Sequence, residues 1–402
     1  MKTFTRIFRL SFLFLIPLCA ATSSFAQCEE TELNPSDGQR DDEFGQAVAL
    51  NGDRLVVGAE GDSSGTGSVY LFQKTGGTWV EKTKIVASDH QRYNYFGSAV
   101  AFDKNRIVVA AYLDDHLATD AGSVYVYAAD GGNGLAEAKL YAADGVAEQQ
   151  FGTSVATMGN RVVVGARGDN AAGYAAGAAY VFRLADGAWV QEAKLISNDI
   201  HAFDIFGVSV AMGGRLIAVG ALGAQDNGVR VGAVYVFGFE NGAWVQQAKL
   251  LASDPKELGF FGTSVAMTRD GSRIIVGAAA DDFVSEAAYV FRREGDGWVQ
   301  EAKLVVDPYE GFGTSVAINY PYCAVGAPFD NEKGATYLYH FDGANWNLAN
   351  RFEPSDGTFD DSYGVSVAVD RTVLASGAPL HMNETGPGAV YLFDPSCTTA
   401  GK

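Results

Sequence analysis

From Phe151 to Leu195 the chain alternates short apolar runs with clusters of glycine, asparagine and aspartate. The runs are FGTSVA, RVVVGA, AAYVF and WVQEAKL. Runs rich in Val, Ala, Tyr and Phe, bounded by turn-forming residues and lacking helical periodicity, predict four strands joined by tight turns. The same unit recurs along the chain. Its opening Phe-Gly stands at Phe44, Phe96, Phe151, Phe206, Phe261 and Phe312, and in altered form at Tyr363-Gly364. A fixed period of 51–55 residues overrides a prior of two or three domains from the length of 402, because stacked repeats share one continuous core. The pattern predicts an all-β fold, a seven-bladed β-propeller of four-stranded antiparallel blades.

The four runs differ in polarity, and the difference places them. The second run, seen as RLVVGA, RIVVAA, RVVVGA, LIAVGA, RIIVGA, YCAVGA and VLASGA, is apolar at nearly every position. Such a strand is covered on both faces, as a blade is between two neighbours. The fourth run alternates and carries Lys84, Lys139, Lys194, Lys249, Lys303 and Arg351 at one position. That row reads as charge guarding an exposed outer edge. Trp79, Trp189, Trp244, Trp298 and Trp346 open the same strand and are expected to cover the hairpin beneath.

The seventh repeat reaches only its third strand, Ala389–Phe393, before Lys402. At the other end, Leu33 precedes Phe44 by the same 11 residues that separate Ile85 from Phe96, so the segment from Cys28 to Leu33 has fourth-strand register. The last blade is therefore expected to be built from both chain ends. In that register Cys28 and Cys397 flank one hairpin turn, close enough for a disulfide. Cys323 lies in an apolar second strand and reads as an inert buried thiol.

Residues 1–26 read as a secretory signal peptide: Lys2, Arg6 and Arg9, then LSFLFLIPLCAA, then Ser24-Phe25-Ala26 before a mature start at Gln27. The propeller is expected over 27–402. No later apolar run reaches the length of a membrane span. Taking the leader's three basic residues from the total of 29 leaves 26 against 48 acidic, a net charge of −22. That balance excludes nucleic acid and anionic lipid as partners, favours a soluble monomer, and leaves cations and basic partners open.

Phe-Gly opening one strand and Gly-Ala closing the next, at Gly58-Ala59, Gly165-Ala166, Gly220-Ala221, Gly277-Ala278, Gly326-Ala327 and Gly377-Ala378, with Ala110-Ala111 standing in for the second copy, resembles the FG-GAP repeat family. The integrin α-subunit propeller belongs to it, and the secreted bacterial members share the Ser-Asp linker and the Trp-to-Lys-Leu strand. The resemblance covers nearly the whole mature chain. It implies a seven-bladed propeller used outside the cell for adhesion or ligand binding. The family's Asp-rich Ca²⁺ loop between first and second strands has no counterpart here. Loops such as Thr157-Met158-Gly159-Asn160 are too poor in oxygen for the six to eight ligands Ca²⁺ takes.

Acidic residues gather instead in the linkers, at Asp37, Asp89, Asp144, Asp199, Asp254, Asp307 and Asp356, and after Gly-Ala. Both sets emerge on one face of a propeller. The linker aspartates read first as Asx turns. The candidate ligand residues on that face are Asp114, Asp115, Arg167, Asp169, Asp204, Asp281, Asp282 and Asp330, with Asp41, Asp42, Asp360 and Asp361 as further carboxylates. No cofactor is expected, and Ca²⁺ is possible only on this face. Arg167-Gly168-Asp169 spells a tripeptide that integrins read, but Glu60-Gly61-Asp62 occupies the same repeat position. The five histidines, His381 among them, show no metal spacing and read as solvated loop residues. Asn383-Glu384-Thr385 has the form of a glycosylation acceptor. No catalytic motif is present. The expectation is a secreted or surface-exposed binding propeller, not an enzyme, whose partner is an extracellular protein or glycan. The alternatives are a polysaccharide hydrolase or lyase, and a structural envelope component without a saturable ligand.

Overall fold

The computed structural model describes residues 28–128, 137–279, 286–306, 311–381 and 386–397. Asp281, Asp282, Asp307 and Asn383 fall outside them, as does the segment 1–26 read above as a leader. The described residues form seven four-stranded antiparallel sheets. Blade three is representative, with strands Phe151–Met158, Arg161–Ala166, Ala178–Ala185 and Ala188–Leu195 paired in sequence order. Each first strand meets the first strand of the next blade, and that of blade seven, Ser366–Val369, meets that of blade one, Phe44–Asn51, so the ring closes. First strands are thus innermost and fourth strands outermost.

The repeated residues make the joints between blades. In the Phe-Gly pairs and in Tyr363-Gly364 the glycine has φ between 89° and 105°, a backbone that a side chain resists. The aromatic ring of the pair is buried against the third-strand tyrosine of its own blade, as in Phe151–Tyr180 with ring centroids 5.5 Å apart. The Gly-Ala glycine faces the next blade: a Cβ on Gly165 would lie 1.9 Å from the Gly207 carbonyl oxygen, and one on Gly377 1.9 Å from that of Gly45. Close backbone approach, not flexibility, requires these glycines. Ser154, Ser209, Ser264, Ser315 and Ser366 each donate to the same carbonyl of the following blade at 2.7–2.9 Å. The bond from Ser366 to Gly45 spans the closure itself.

The second strands are buried along their length, as their unbroken apolar character predicts. The tryptophans reach further than their own hairpin. Arg161 of blade three stacks on Phe239 and Trp244 of blade four, and both Arg161 and the Trp244 indole N–H bond Glu192. Arg273, Glu301 and Trp346 repeat the arrangement between blades five and six.

Blade seven is closed as its register predicts. Strand Glu30–Leu33 pairs with Ala389–Phe393, placing Glu32 opposite Tyr391, and Cys28 is bonded to Cys397 with Cα atoms 5.7 Å apart. Cys323 is a buried free thiol whose pKa burial raises. Among the described residues no helix is long and apolar enough to cross a membrane.

Candidate functional site

The loop face has two levels. The lower one is a shelf of ion pairs, repeated blade by blade. In blade three, Lys194 Nζ donates to Asp144 Oδ2 at 2.7 Å and Asp169 Oδ2 at 2.8 Å, while the Tyr180 hydroxyl lies 2.8 Å from Asp144 and 2.7 Å from Asp169. Blade one repeats this with Lys84, Asp37, Asp62 and Tyr70, and blade two with Lys139, Asp89, Asp114 and Tyr125. Lys249 pairs with Asp199, Lys303 with Asp254, and Arg351 with Asp330. The basic row is therefore not a guard on an exposed edge. Its long stems fold back along the blade and carry the charge inward to the linker. The linker aspartates, read as Asx turns, are acceptors for a tyrosine and a lysine of their own blade.

The shelf takes up most of the carboxylates that sequence places on the face. Asp114, Asp169, Asp204 and Asp330 are all exposed by 2% or less. Burial alone would raise the Asp169 carboxyl, but hydrogen bonds from Lys194, the Ala171 N–H, Tyr180 and Gln149 outweigh it and hold the group below its ordinary value. Asp204 instead accepts the His201 N–H at 2.8 Å, and burial raises its pKa. With its carboxylate inside the blade, Asp169 offers no aspartate for an Arg-Gly-Asp reading. Asp115 is exposed and accepts the Asp120 N–H of its own loop at 2.8 Å. Asp41 and Asp360 are exposed, whereas Asp42 and Asp361 are buried.

The upper level rings the mouth of the propeller. It consists of the residue after each Gly-Ala and the residues just before each Phe-Gly. The latter sit in a turn that is left-handed twice over. Asp41 and Glu43, Tyr93 and Tyr95, Glu148 and Gln150, Phe203 and Ile205, Leu258 and Phe260, Asp360 and Ser362 all have φ between 47° and 68°. The backbone is held there from the preceding blade: the N–H of Phe203 donates to Tyr174, that of Leu258 to Arg230 and that of Asp360 to Glu332, at 2.7–2.8 Å. A β-branched residue such as Ile205 at φ 56° is costly, and strain of this kind collects at functional sites. In the six blades where both positions are described, these turns hold constant backbone and display different side chains.

The display is uneven around the ring. On the blade-one side, Glu43 and Glu60 share the mouth with Tyr95 and Tyr112. Burial and the neighbouring Glu43 push the Glu60 carboxyl up to about 7. Arg167 adjoins this group, its guanidinium 5.9 Å from the Tyr112 ring and bonded to Gln150 at 2.6 Å. From blade three to blade five the surface turns apolar. A cleft of about 670 Å³ is lined by Phe203, Ile205, Leu222, Leu258 and Phe260, with Arg230 at its edge. A smaller hollow of about 380 Å³, lined by Arg167, Gln150 and Tyr174, shares Ile205 and Leu222 with it. Tyr174, Phe203 and Leu258 are each about half exposed or more, and the Tyr174 and Phe203 rings touch at 5.3 Å.

Of the described candidate ligand residues, only Arg167 borders these hollows, together with Gly168 of its tripeptide and Tyr174 of its loop. Phe203, Ile205, Leu222, Leu258 and Phe260 carry no motif. What could have found them is their position: two fixed places before the Phe-Gly where blades four and five hold large apolar side chains and the other blades mostly polar ones, and the place after Gly-Ala where blade four holds Leu222. His381 is the other surprise: it is almost wholly buried in blade seven rather than solvated.

Seven segments of the chain match the FG-GAP repeat family: 28–72, 79–127, 135–182, 189–237, 244–291, 298–339 and 346–393. Each runs from a fourth strand through the next three, so the sequence repeat is offset from the blade by one strand, as the two-ended closure of blade seven requires. No protein of curated function matches the chain. Matched over most of its length by a repeat whose Phe-Gly and Gly-Ala form the joints between blades, the chain belongs to the FG-GAP repeat family.

Proposed function

We propose that this propeller is an exported binding protein that takes an extracellular protein partner through the blade-three to blade-five sector of its mouth. The observation that carries this reading is the apolar cleft beside Phe203, Ile205, Leu258 and Phe260, opened by turns whose left-handed backbone is fixed while their side chains vary. Exposed, clustered large apolar side chains in a soluble chain mark an interaction site. Arg230 at its border and Arg167 in the adjoining hollow suit a partner that presents an apolar anchor next to a carboxylate, since arginine and buried apolar anchors dominate protein interfaces. A glycan would be expected to meet more hydrogen-bonding groups than this cleft offers. The intramolecular disulfide fits an oxidising compartment, and the leader at 1–26 supplies the route. Amino-terminal sequencing of the exported protein should begin at Gln27.

The test is to probe protein and glycan arrays with the parent and with a Phe203→Ser/Leu258→Ser variant. Protein hits that vanish in the variant while its melting temperature is kept support the proposal. Glycan hits, or protein hits indifferent to the variant, would overturn it.

A further inference from the structure

Six blades place a cation at the centre of the shelf, and blade seven reverses the arrangement. The fourth-strand position held by Lys84, Lys139, Lys194, Lys249, Lys303 and Arg351, always opposite the third-strand tyrosine, is Glu32, opposite Tyr391. The position three residues after Gly-Ala, held by Asp62, Asp114, Asp169 and Asp330, is His381. The linker aspartate is retained as Asp356, whose Oδ1 accepts the Tyr391 hydroxyl at 2.9 Å. A carboxylate thus stands where the ammonium should be, and an imidazole where the carboxylate should be.

The result is a cluster of mixed donors. Ligand atoms of Glu32, Asp356 and His381 lie within 4.8 Å of one another. His381 is 3% exposed. Its Nδ1 is 3.1 Å from Asp361 Oδ2, and Asp361 is fully buried, so this nitrogen donates its proton there. Such a carboxylate behind an imidazole fixes the tautomer that leaves Nε2 unprotonated, with its lone pair open to a metal, and it is a standard companion of a metal-bound histidine. Nε2 points toward Asp356 Oδ2 at 3.7 Å, too long for a hydrogen bond. The Tyr391 oxygen is 3.4 Å from Nε2, but its one proton goes to Asp356. Glu32 and Asp356 are both exposed, which gives an ion a way in from solvent.

We propose that blade seven holds a transition-metal dication of the Zn²⁺ class between Glu32, Asp356 and His381, with water completing the shell. Imidazole with carboxylates suits zinc and its neighbours rather than Ca²⁺ or Mg²⁺, which prefer all-oxygen sites. Ligands of one tetrahedral zinc lie about 3.4 Å apart, so Asp356 Oδ2, 3.7 Å from Nε2, is nearly in place, and no pair in the cluster has to close by more than about 1.4 Å through side-chain rotation. The site joins the N-terminal strand to the C-terminal part of the same blade. An ion there is a second clasp beside the Cys28–Cys397 bond. None of its residues borders the proposed partner cleft.

The test uses the disulfide-intact exported chain, stripped with chelator and titrated with Zn²⁺ by calorimetry and thermal melting, with Ca²⁺ and Mg²⁺ in parallel. One Zn²⁺ per chain and a melting temperature that rises with Zn²⁺ are expected, with little response to Ca²⁺ or Mg²⁺. The decisive variant is Glu32→Lys, which rebuilds the pair of the other six blades and should stay folded. It should weaken Zn²⁺ binding at least about tenfold, the order of loss when a coordinating arrangement is disturbed. No Zn²⁺ response in the parent would overturn the proposal and leave His381 as a cation in place of the lysine. An equal response in Glu32→Lys would also overturn it, by placing the ion elsewhere.

Discussion

The shelf and the mouth lie on the same face of the propeller and use charge in opposite ways. On the shelf of the first six blades the carboxylates meet a cation: Lys194 Nζ sits within 2.8 Å of both Asp144 and Asp169. At the mouth Glu43 and Glu60 meet each other, and the Glu60 carboxyl rises to about 7. The first arrangement ties each linker to its own blade and is nearly the same in six of the seven blades. The second costs stability and differs from blade to blade. Acidic residues on one face of a repeat protein are therefore of two kinds, and only those that break the repeat are available to a partner.

The sharpest way to break this contrast is to remove a shelf cation. Lys194→Met leaves two carboxylates without their ammonium and is expected to cost about 2–4 kcal/mol. That is somewhat less than the roughly 3–5 kcal/mol for splitting a fully buried pair, because Asp144 is half exposed. Chemical denaturation measures it. If Lys194→Met unfolds like the parent, the shelf is decoration. Replacing Cys28 and Cys397 by serine should cost about 2–4 kcal/mol and loosen blade seven first, seen as faster amide exchange in Ala389–Phe393.

Acid separates the two levels by sign. The Asp37 carboxyl is lowered by its bonds from Lys84 and Tyr70, and in Asp144 and Asp169 the bonds from Lys194 and Tyr180 outweigh a burial effect that would raise them. A lowered carboxyl contributes stability above its unfolded value, so this contribution is full above about pH 4 and lost as pH falls through the lowered folded values. Glu60 runs the other way. Its folded pKa lies above 4.5, so the folded state is favoured below that pH and loses this advantage as pH rises through about 7. Glu60→Gln should therefore stabilise the protein at pH 8 by about 1–2 kcal/mol and have little effect at pH 4. A destabilised Glu60→Gln would mean that Glu60 is ion-paired and belongs with the shelf. The smallest stability effect is expected from Leu258→Ser, within about 0.5 kcal/mol, since its side chain is about half exposed.

Much of the fold is legible in the sequence because its joints are backbone joints. Gly165 must be glycine to let the Gly207 carbonyl in, and Gly207 must be glycine to hold φ 89°, so both recur and declare themselves. Fourth-strand register likewise reveals the closure by Glu30–Leu33 and its disulfide. The shelf is hidden for a different reason. Lys194, Asp144 and Asp169 are up to 50 residues apart, and each alone has an ordinary surface role, so the row of lysines reads as edge protection and the row of aspartates as turns. The mouth is hidden because Phe203 and Leu258 carry no motif. Their meaning comes from a left-handed turn that points them outward, which only the structure shows.

The most direct measurement is array binding by three folded proteins side by side: the parent, Phe203→Ser/Leu258→Ser, and Asp41→Asn/Glu43→Gln. The account predicts that protein hits of the parent are lost in the first variant and kept in the second. Hits kept in the first and lost in the second would place recognition on the acidic side of the mouth and contradict it.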